Sequence, residues 1–308
     1  MLHKQQNVLY NIQHSNNPHQ AENNVVECDI LATLFKDVQF SECCALAGGS
    51  TLTMSYNILQ RSNNDIDLAI TNFRTIDSFT GRFEKQVNKF RSAFRKYLFG
   101  PIYEQVTDIL SGYGDITVLT DPKYIQNKQT PQAALHILYP SMISSTSGHI
   151  CLEFSPRKYS PDTIVQQPIV VPYTNTKTIP IPTVRLEQTF WDKIYALHTY
   201  STVQNLYIRP TISRHYYDVA CIAKHINLPD TKHMLQNTAD YLARHSMRNI
   251  LRPNDLSDLQ LVPSGDLYIA IQQDYNTISS KGILPCGQWD QIMNTLTELE
   301  NKFRQTQR

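Results

Sequence analysis

The chain has 308 residues, about the length of two domains or lobes, and 28 Lys and Arg against 27 Asp and Glu leave a formal charge of +1. That balance excludes a globally basic nucleic-acid coat and an acidic tail, though not local patches. Hydrophobic residues make up 41%, enough for a sizeable core at this length, and charged residues only 18%, because Asn, Gln, Ser and Thr carry much of the polar share.

No stretch approaches the roughly 20 apolar residues that a membrane helix needs. The polar start of the chain, Met1 to Gln20, lacks an apolar secretion core. The six cysteines (Cys28, Cys43, Cys44, Cys151, Cys221, Cys286) form no Cys-x-x-Cys pair, and the ten histidines form no His-Glu-x-x-His. A structural metal site is therefore not expected. The chain reads as a reduced, cytoplasmic protein without a membrane partner.

Residues 1–24, rich in Asn, Gln and His, read as a loosely ordered arm. Val26, Ile30, Leu31 and Leu34 give helical spacing over 25–35. Phe40 to Leu52 reads as a short strand ended by Gly48-Gly49, an informative pair in a chain with ten glycines. Ser62 to Ile70 predicts a second strand, with Asp65, Asp67 and Ala69 on one face and Ile66, Leu68 and Ile70 on the other. The spacing predicts an amphipathic helix over 82–98, with an apolar stripe of Phe83, Val87, Phe90, Phe94 and Tyr97 and a basic face containing Lys85 and Lys89. Further strands are expected at Asp115–Leu119, Ala134–Tyr139 and His149–Ser155. Six of the sixteen prolines fall between Pro156 and Pro182, an irregular stretch that reads as the lobe boundary. Helical patterns follow at 187–200, 211–226, 231–251 and 287–306. The expected organisation is an arm over 1–24, a strand-containing lobe over 25–180 and a helical lobe over 181–308.

Asp65-Ile66-Asp67 is the sharpest chemical feature. Two carboxylates two apart on a strand share a face, so both can reach one hard cation. A lone Asp-x-Asp is more often a solvated strand edge. Here Gly48-Gly49-Ser50, a helix-length spacer and Arg61 precede it, and a glycine turn can hold phosphate on its backbone N–H groups. Together these are the parts of a phosphoryl-transfer site.

The segment LAGGSTLTMSYNILQRSNNDIDLAI resembles the nucleotidyl-transfer motif of the DNA polymerase β superfamily. It is most similar to the AbiEii-type nucleotidyltransferase toxins of type IV toxin–antitoxin systems, through Gly48, Gly49, Ser50, Leu52, Arg61, Asp65, Ile66, Asp67 and Leu68. Asn63 stands where that family carries a serine. LEQTFWDKIYALH resembles the family's lysine helix and aligns Lys193; SRHYYDVACI resembles its Arg-His-x-x-Asp segment and aligns Asp218. The likeness runs over about residues 25–226. It implies an α+β protein: a polymerase β-like nucleotidyltransferase lobe with a small mixed sheet, followed by an all-helical lobe closing over the nucleotide.

The resemblance further implies Mg²⁺ or Mn²⁺ on Asp65 and Asp67, and triphosphate on Gly48, Gly49, Ser50, Arg61 and Lys193. The implied reaction is transfer of NMP from an NTP to a hydroxyl, the 3′ end of tRNA by analogy, with a cognate antitoxin as partner. Other outcomes are a protein or small-molecule acceptor, or a catalytically dead binding module.

Taken alone, Lys193 lies at the edge of a stripe of Phe190, Ile194 and Leu197, where a lysine usually snorkels to solvent. Asp218 follows Arg214 by four residues, the spacing of a surface ion pair. The resemblance instead puts both in the site, with Asp218 orienting Lys193 or an arginine. The resemblance to polymerase β-like sites also implies a third carboxylate on a neighbouring strand to activate the attacking hydroxyl. HICLEFS offers Glu153, with Cys151 and Ser155 on its face, where the plain alternative is a solvent-facing Glu. His198 and His215 read as packing or hydrogen-bonding residues. Besides Lys85 and Lys89, a row of Arg244, Arg248 and Arg252 has the spacing to follow an RNA backbone.

Overall fold

The computed structural model describes residues 6–59, 61, 65–120, 133–171, 177–202, 210–227, 232–245 and 256–305. The chain folds as two units, one of Met1–Asn57 with Asn63–Arg185, the other of Ile58–Ser62 with Leu186–Arg308.

The first unit opens with helices α1 (Gln6–Gln13) and α2 (Pro18–Leu34), so most of the described part of the stretch expected as a loose arm is helical, with a turn at His14–Asn17. The cause is local. The Asn17 side chain accepts the Gln20 N–H at 3.2 Å and Pro18 occupies the first helical turn. Val8 and Ile12 then bury themselves against Ala21 and Val25. A second correction concerns Phe40–Leu52. Asp37 accepts the Phe40 N–H at 2.8 Å and starts helix α3 (Val38–Cys43), leaving strand β1 only Cys44–Leu46. Two helices continue this unit, α4 (Phe83–Tyr97) and α5 (Tyr103–Ser111). Val87, Phe90 and Phe94 of α4 are buried, but Phe83 is 47% exposed, so the apolar stripe begins one turn late.

Six more strands follow: β2 (Ile66–Ile70), β3 (Thr117–Thr120), β4 (Ala133–Pro140), β5 (Ser147–Ser155), β6 (Ile164–Val170) and β7 (Lys177–Val184). Among the described residues they form one mixed sheet in the order β3-β4-β5-β2-β1-β7-β6. β2 runs antiparallel to β1 and parallel to β5. One sheet face carries Ile66, Leu68, Ile70, Ile150, Leu152, Phe154, Leu135 and Ile137 into a core with Val26, Ile30, Leu31 and Leu34 of α2. This burial is the main cohesive term of the unit, since each such side chain contributes about 1.5–3 kcal/mol.

The proline-rich stretch is not a linker. Between its prolines, Ile and Val residues build the β6–β7 pair, with Pro168 opposite Pro180. Pro168 is tolerated because β6 is an edge strand, and the ladder is irregular between Pro168 and Val170. β7 pairs with β1 at Leu46↔Thr183, which carries the first unit on to Arg185, past the boundary expected at 180.

The second unit is helical: α6 (Leu186–Thr202), α7 (Ser213–Ile222), α8 (Lys232–His245), α9 (Gly265–Ser280) and α10 (Trp289–Gln305). Trp191 of α6 stacks on Phe303 of α10 at 5.6 Å between centroids. Helix α9 lies outside the expected helical spans, although its buried positions Ile271, Tyr275 and Ile278 have the i, i+4, i+7 spacing of a helix. Its Asp274 accepts the Thr211 and Ser213 N–H groups and the Ser213 hydroxyl, capping the start of α7. Among the described residues no helix is long and apolar enough to cross a membrane.

Candidate active site

Strand β2, shorter than the expected Ser62–Ile70, carries Asp67 into the middle of the sheet, with Asp65 at a bend just before it. Ile66, Leu68 and Ile70 point to the core, which turns Asp67 to the opposite, partly exposed face. In the parallel ladder Asp67 is the register partner of Glu153. Partners in adjacent strands share a face, so Glu153 and Asp67 are neighbours although distant in sequence.

The glycine turn is bonded to this strand. Gly48–Ser50 form one helical turn directly after β1. Gly48 has φ +56°, and a Cβ placed there would run into the Asp67 carboxylate. Only glycine satisfies both demands. The Gly49 N–H donates to Asp67 Oδ2 at 2.8 Å. Ser50 is fully buried; its hydroxyl donates to the Asp65 carbonyl at 3.2 Å and accepts the Asp67 N–H at 2.9 Å. Its hydroxyl thus clamps the backbone of both aspartates.

The second unit gathers a separate charged cluster. Asp218 of α7 is fully buried and takes two cations: Arg61 by a forked contact (Nε to Oδ1 2.9 Å, Nη2 to Oδ2 3.0 Å) and Lys193 of α6 (Nζ to Oδ2 2.7 Å). Neither ordinary surface expectation holds. Lys193 is 8% exposed and paired rather than snorkelling. Arg214 turns its Nη2 to the Thr211 hydroxyl at 3.0 Å. Burial alone would push the Asp218 carboxyl up, but the charges of Lys193 and Arg61 outweigh it and hold the group well below the usual carboxylate range. His215 beside them is pushed down to about 3, first by burial and then by the Lys193 charge.

Over residues 29–294 the sequence matches the family described as nucleotidyl transferase AbiEii toxin, type IV toxin–antitoxin system. The chain belongs to this family. The toxin is accordingly a nucleotidyltransferase that uses an NTP and has a cognate antitoxin. Its fold is similar to that of MenT4, the nucleotidyltransferase toxin Rv2826c of Mycobacterium tuberculosis H37Rv. That likeness has a TM-score of 0.50 at 12% identity, covering 95% of this chain and 97% of that one. JHP933 from Helicobacter pylori matches with TM-score 0.40 at 14% identity over 93% of this chain and 99% of its own. No curated protein matches the sequence.

The remaining candidates of the toxin are scattered. Lys85 and Lys89 are exposed on α4, and Lys89 Nζ donates to the Thr80 carbonyl at 3.1 Å. Arg244 falls on α8, but its side chain lies outside the described residues, as do Arg248, Arg252 and Asn63. His198 accepts the Gln260 N–H at 3.2 Å, a hydrogen-bonding role inside the second unit.

Glu27 is a neighbour that motif spacing misses. It sits on α2, 5% exposed, and its carboxyl is pushed up to about 8 by burial and by the negative charge of Asp65. The available signal is Glu27 within the apolar run Val25-Val26-Glu27-Cys28, where a solvated carboxylate has no place.

Proposed function

We propose that the toxin transfers an NMP from an NTP to the 3′-terminal hydroxyl of an RNA, with tRNA as the foremost acceptor, and so blocks translation in the cytoplasm. The observation that carries this reading is the register of Asp67 with Glu153, beside a glycine turn bonded to Asp67.

In this reading the triphosphate lies along the turn, where Gly48 lets backbone approach the phosphates and Ser50 keeps both aspartates in place. Lys193 and Arg61 serve the triphosphate, and Asp218 is the positioning residue for both. Glu153 accepts the proton of the acceptor hydroxyl as that oxygen attacks the α-phosphate and pyrophosphate leaves.

Asp65 and Asp67 are the residues that would hold Mg²⁺ or Mn²⁺. Mg²⁺ is usually bound by one or two carboxylates completed by water and substrate phosphates. An Asp-x-Asp pair fits that habit, and among the described residues no three His, Cys, Asp or Glu form a cage of their own. Bound there, the ion would neutralise charge on the α-phosphate and on the leaving pyrophosphate.

The deciding experiment incubates the toxin with each NTP, labelled on the α-phosphate, together with total RNA and total protein. Label in RNA, at the size of tRNA, is the expected result. Label in protein would replace the acceptor, and no transfer with any NTP or metal would sink the catalytic assignment.

A further inference from the structure

The face of the sheet that carries Asp67 and Glu153 continues along β5 and β4. On β5, Cys151 and His149 follow Glu153 at steps of two and so share its face. On β4, His136 lies opposite Cys151 and Leu138 opposite His149. Two imidazoles are thereby delivered to the face of the carboxylates, His149 exposed and His136 half-buried.

The two rings hold each other. Their planes lie 20° apart with centroids at 4.9 Å, and His136 Nδ1 is 2.8 Å from His149 Nε2, so one ring donates its N–H to the other. This contact fixes both ring planes, whereas an exposed histidine alone would rotate freely. With no third His, Cys, Asp or Glu completing a metal site among the described residues, the pair is a rigid aromatic step beside the carboxylates.

We infer that the His136–His149 pair is the platform on which an unpaired base near the 3′ end of the RNA acceptor stacks while its terminal hydroxyl reaches Glu153. The inference rests on the RNA acceptor proposed above. Four residues of strand separate His149 from Glu153, about 13 Å at the usual rise, a gap that a few nucleotides of single strand bridge. Single-stranded ends are held by stacking on aromatic rings, histidine included, because every base offers a π face. Leu138 beside His149 extends the apolar part of the step. The pair acts by positioning and does not touch the reacting atoms.

The test uses the full chain and an RNA whose single-stranded 3′ end is labelled by the wild-type protein. His149→Ala should raise the KM for that RNA about ten-fold, within the roughly 5–150-fold span of one lost base stack, with kcat and the KM for NTP little changed. His149→Phe, which keeps a ring without the imidazole nitrogens, should recover most of the loss. An unchanged RNA KM in His149→Ala, or His149→Phe as poor as His149→Ala, would overturn the platform while leaving RNA as acceptor. Wild-type label found in protein and absent from RNA would overturn the acceptor reading itself, and the platform with it. Thermal melting of both variants separates these effects from a loss of folding, which an exposed ring should not cause.

Discussion

Asp67 and Glu153 stand opposite one another in the β2–β5 ladder, and the Gly49 N–H at 2.8 Å ties Asp67 to the turn before it. A strand pairing and one backbone hydrogen bond thus join three distant pieces of sequence into one acidic surface. The chemistry proposed for it depends on charge rather than on shape, which isosteric substitutions can test.

Asp65→Asn and Asp67→Asn should each lower transfer at least ~100-fold, a size typical of losing an electrostatic stabiliser. Asn keeps an oxygen for the Gly49 N–H, so thermal melting should stay near wild type. Near-normal activity in either variant would remove that residue from the proposed metal pair.

Gly48→Ala separates the backbone from the charge. The positive φ costs an alanine about 1–2 kcal/mol, and its Cβ collides with the Asp67 carboxylate. Both stability and transfer should fall. Full activity with unchanged melting would mean that the turn tolerates a side chain and is not held against Asp67.

The Arg61–Asp218–Lys193 cluster predicts an order of severity. Asp218→Ala removes the buried carboxylate that Arg61 and Lys193 share and should cost about 3–5 kcal/mol in urea denaturation. Lys193→Ala leaves Asp218 still held by Arg61 and should cost less. An equal or reversed order would show that the charges are not coupled through Asp218. Both variants should also impair transfer per folded molecule if the cluster serves the triphosphate.

Acid should weaken the second unit through His215. The native state keeps His215 neutral down to about 3, while the unfolded chain protonates it near 6.5. A lowered native value means that stability is complete above about 6.5 and is lost as the pH falls towards 3, by up to about 1.4 kcal/mol per pH unit. The lowered Asp218 value has the same sign and acts below its ordinary 3.8. His215→Phe should flatten urea midpoints between pH 6 and pH 4 (roughly the His215 window); an unchanged slope would assign the acid sensitivity elsewhere.

Lys85→Glu with Lys89→Glu tests the exposed basic face of α4. If RNA runs along it, binding should weaken and the log–log salt slope should drop by roughly 0.7–0.9 for each lost phosphate contact. An unchanged slope with RNA labelling intact would mark this face as merely solvated.

The alternation around Asp65-Ile66-Asp67 makes β2 and its two faces legible, because a period of two needs only local sequence. Glu153 stands out for a similar reason, as a carboxylate in an apolar strand. Its pairing with Asp67 is not legible, since register depends on where β5 docks rather than on either segment alone. The same limit hides the Asp218 cluster. Helical spacing offers Arg214 as the partner, while the actual partners come from Arg61 and from α6. Helix α2 and the short β1 turn on single caps, Asn17 and Asp37, which outweigh composition over a dozen residues. The proline-rich strands escape notice because prolines obscure a β pattern that an edge position still permits.

β2 is flanked on both sides, by β1 and by β5, and its Asp67 amide is further held by the buried Ser50 hydroxyl. Strands enclosed in this way open only with the global unfolding of their unit. The amides of Ile66–Ile70 should therefore be among the slowest in the toxin to exchange with deuterium. On that basis the backbone that carries Asp67 should stay fixed through a catalytic cycle, which leaves motion to the substrates and the segments that admit them.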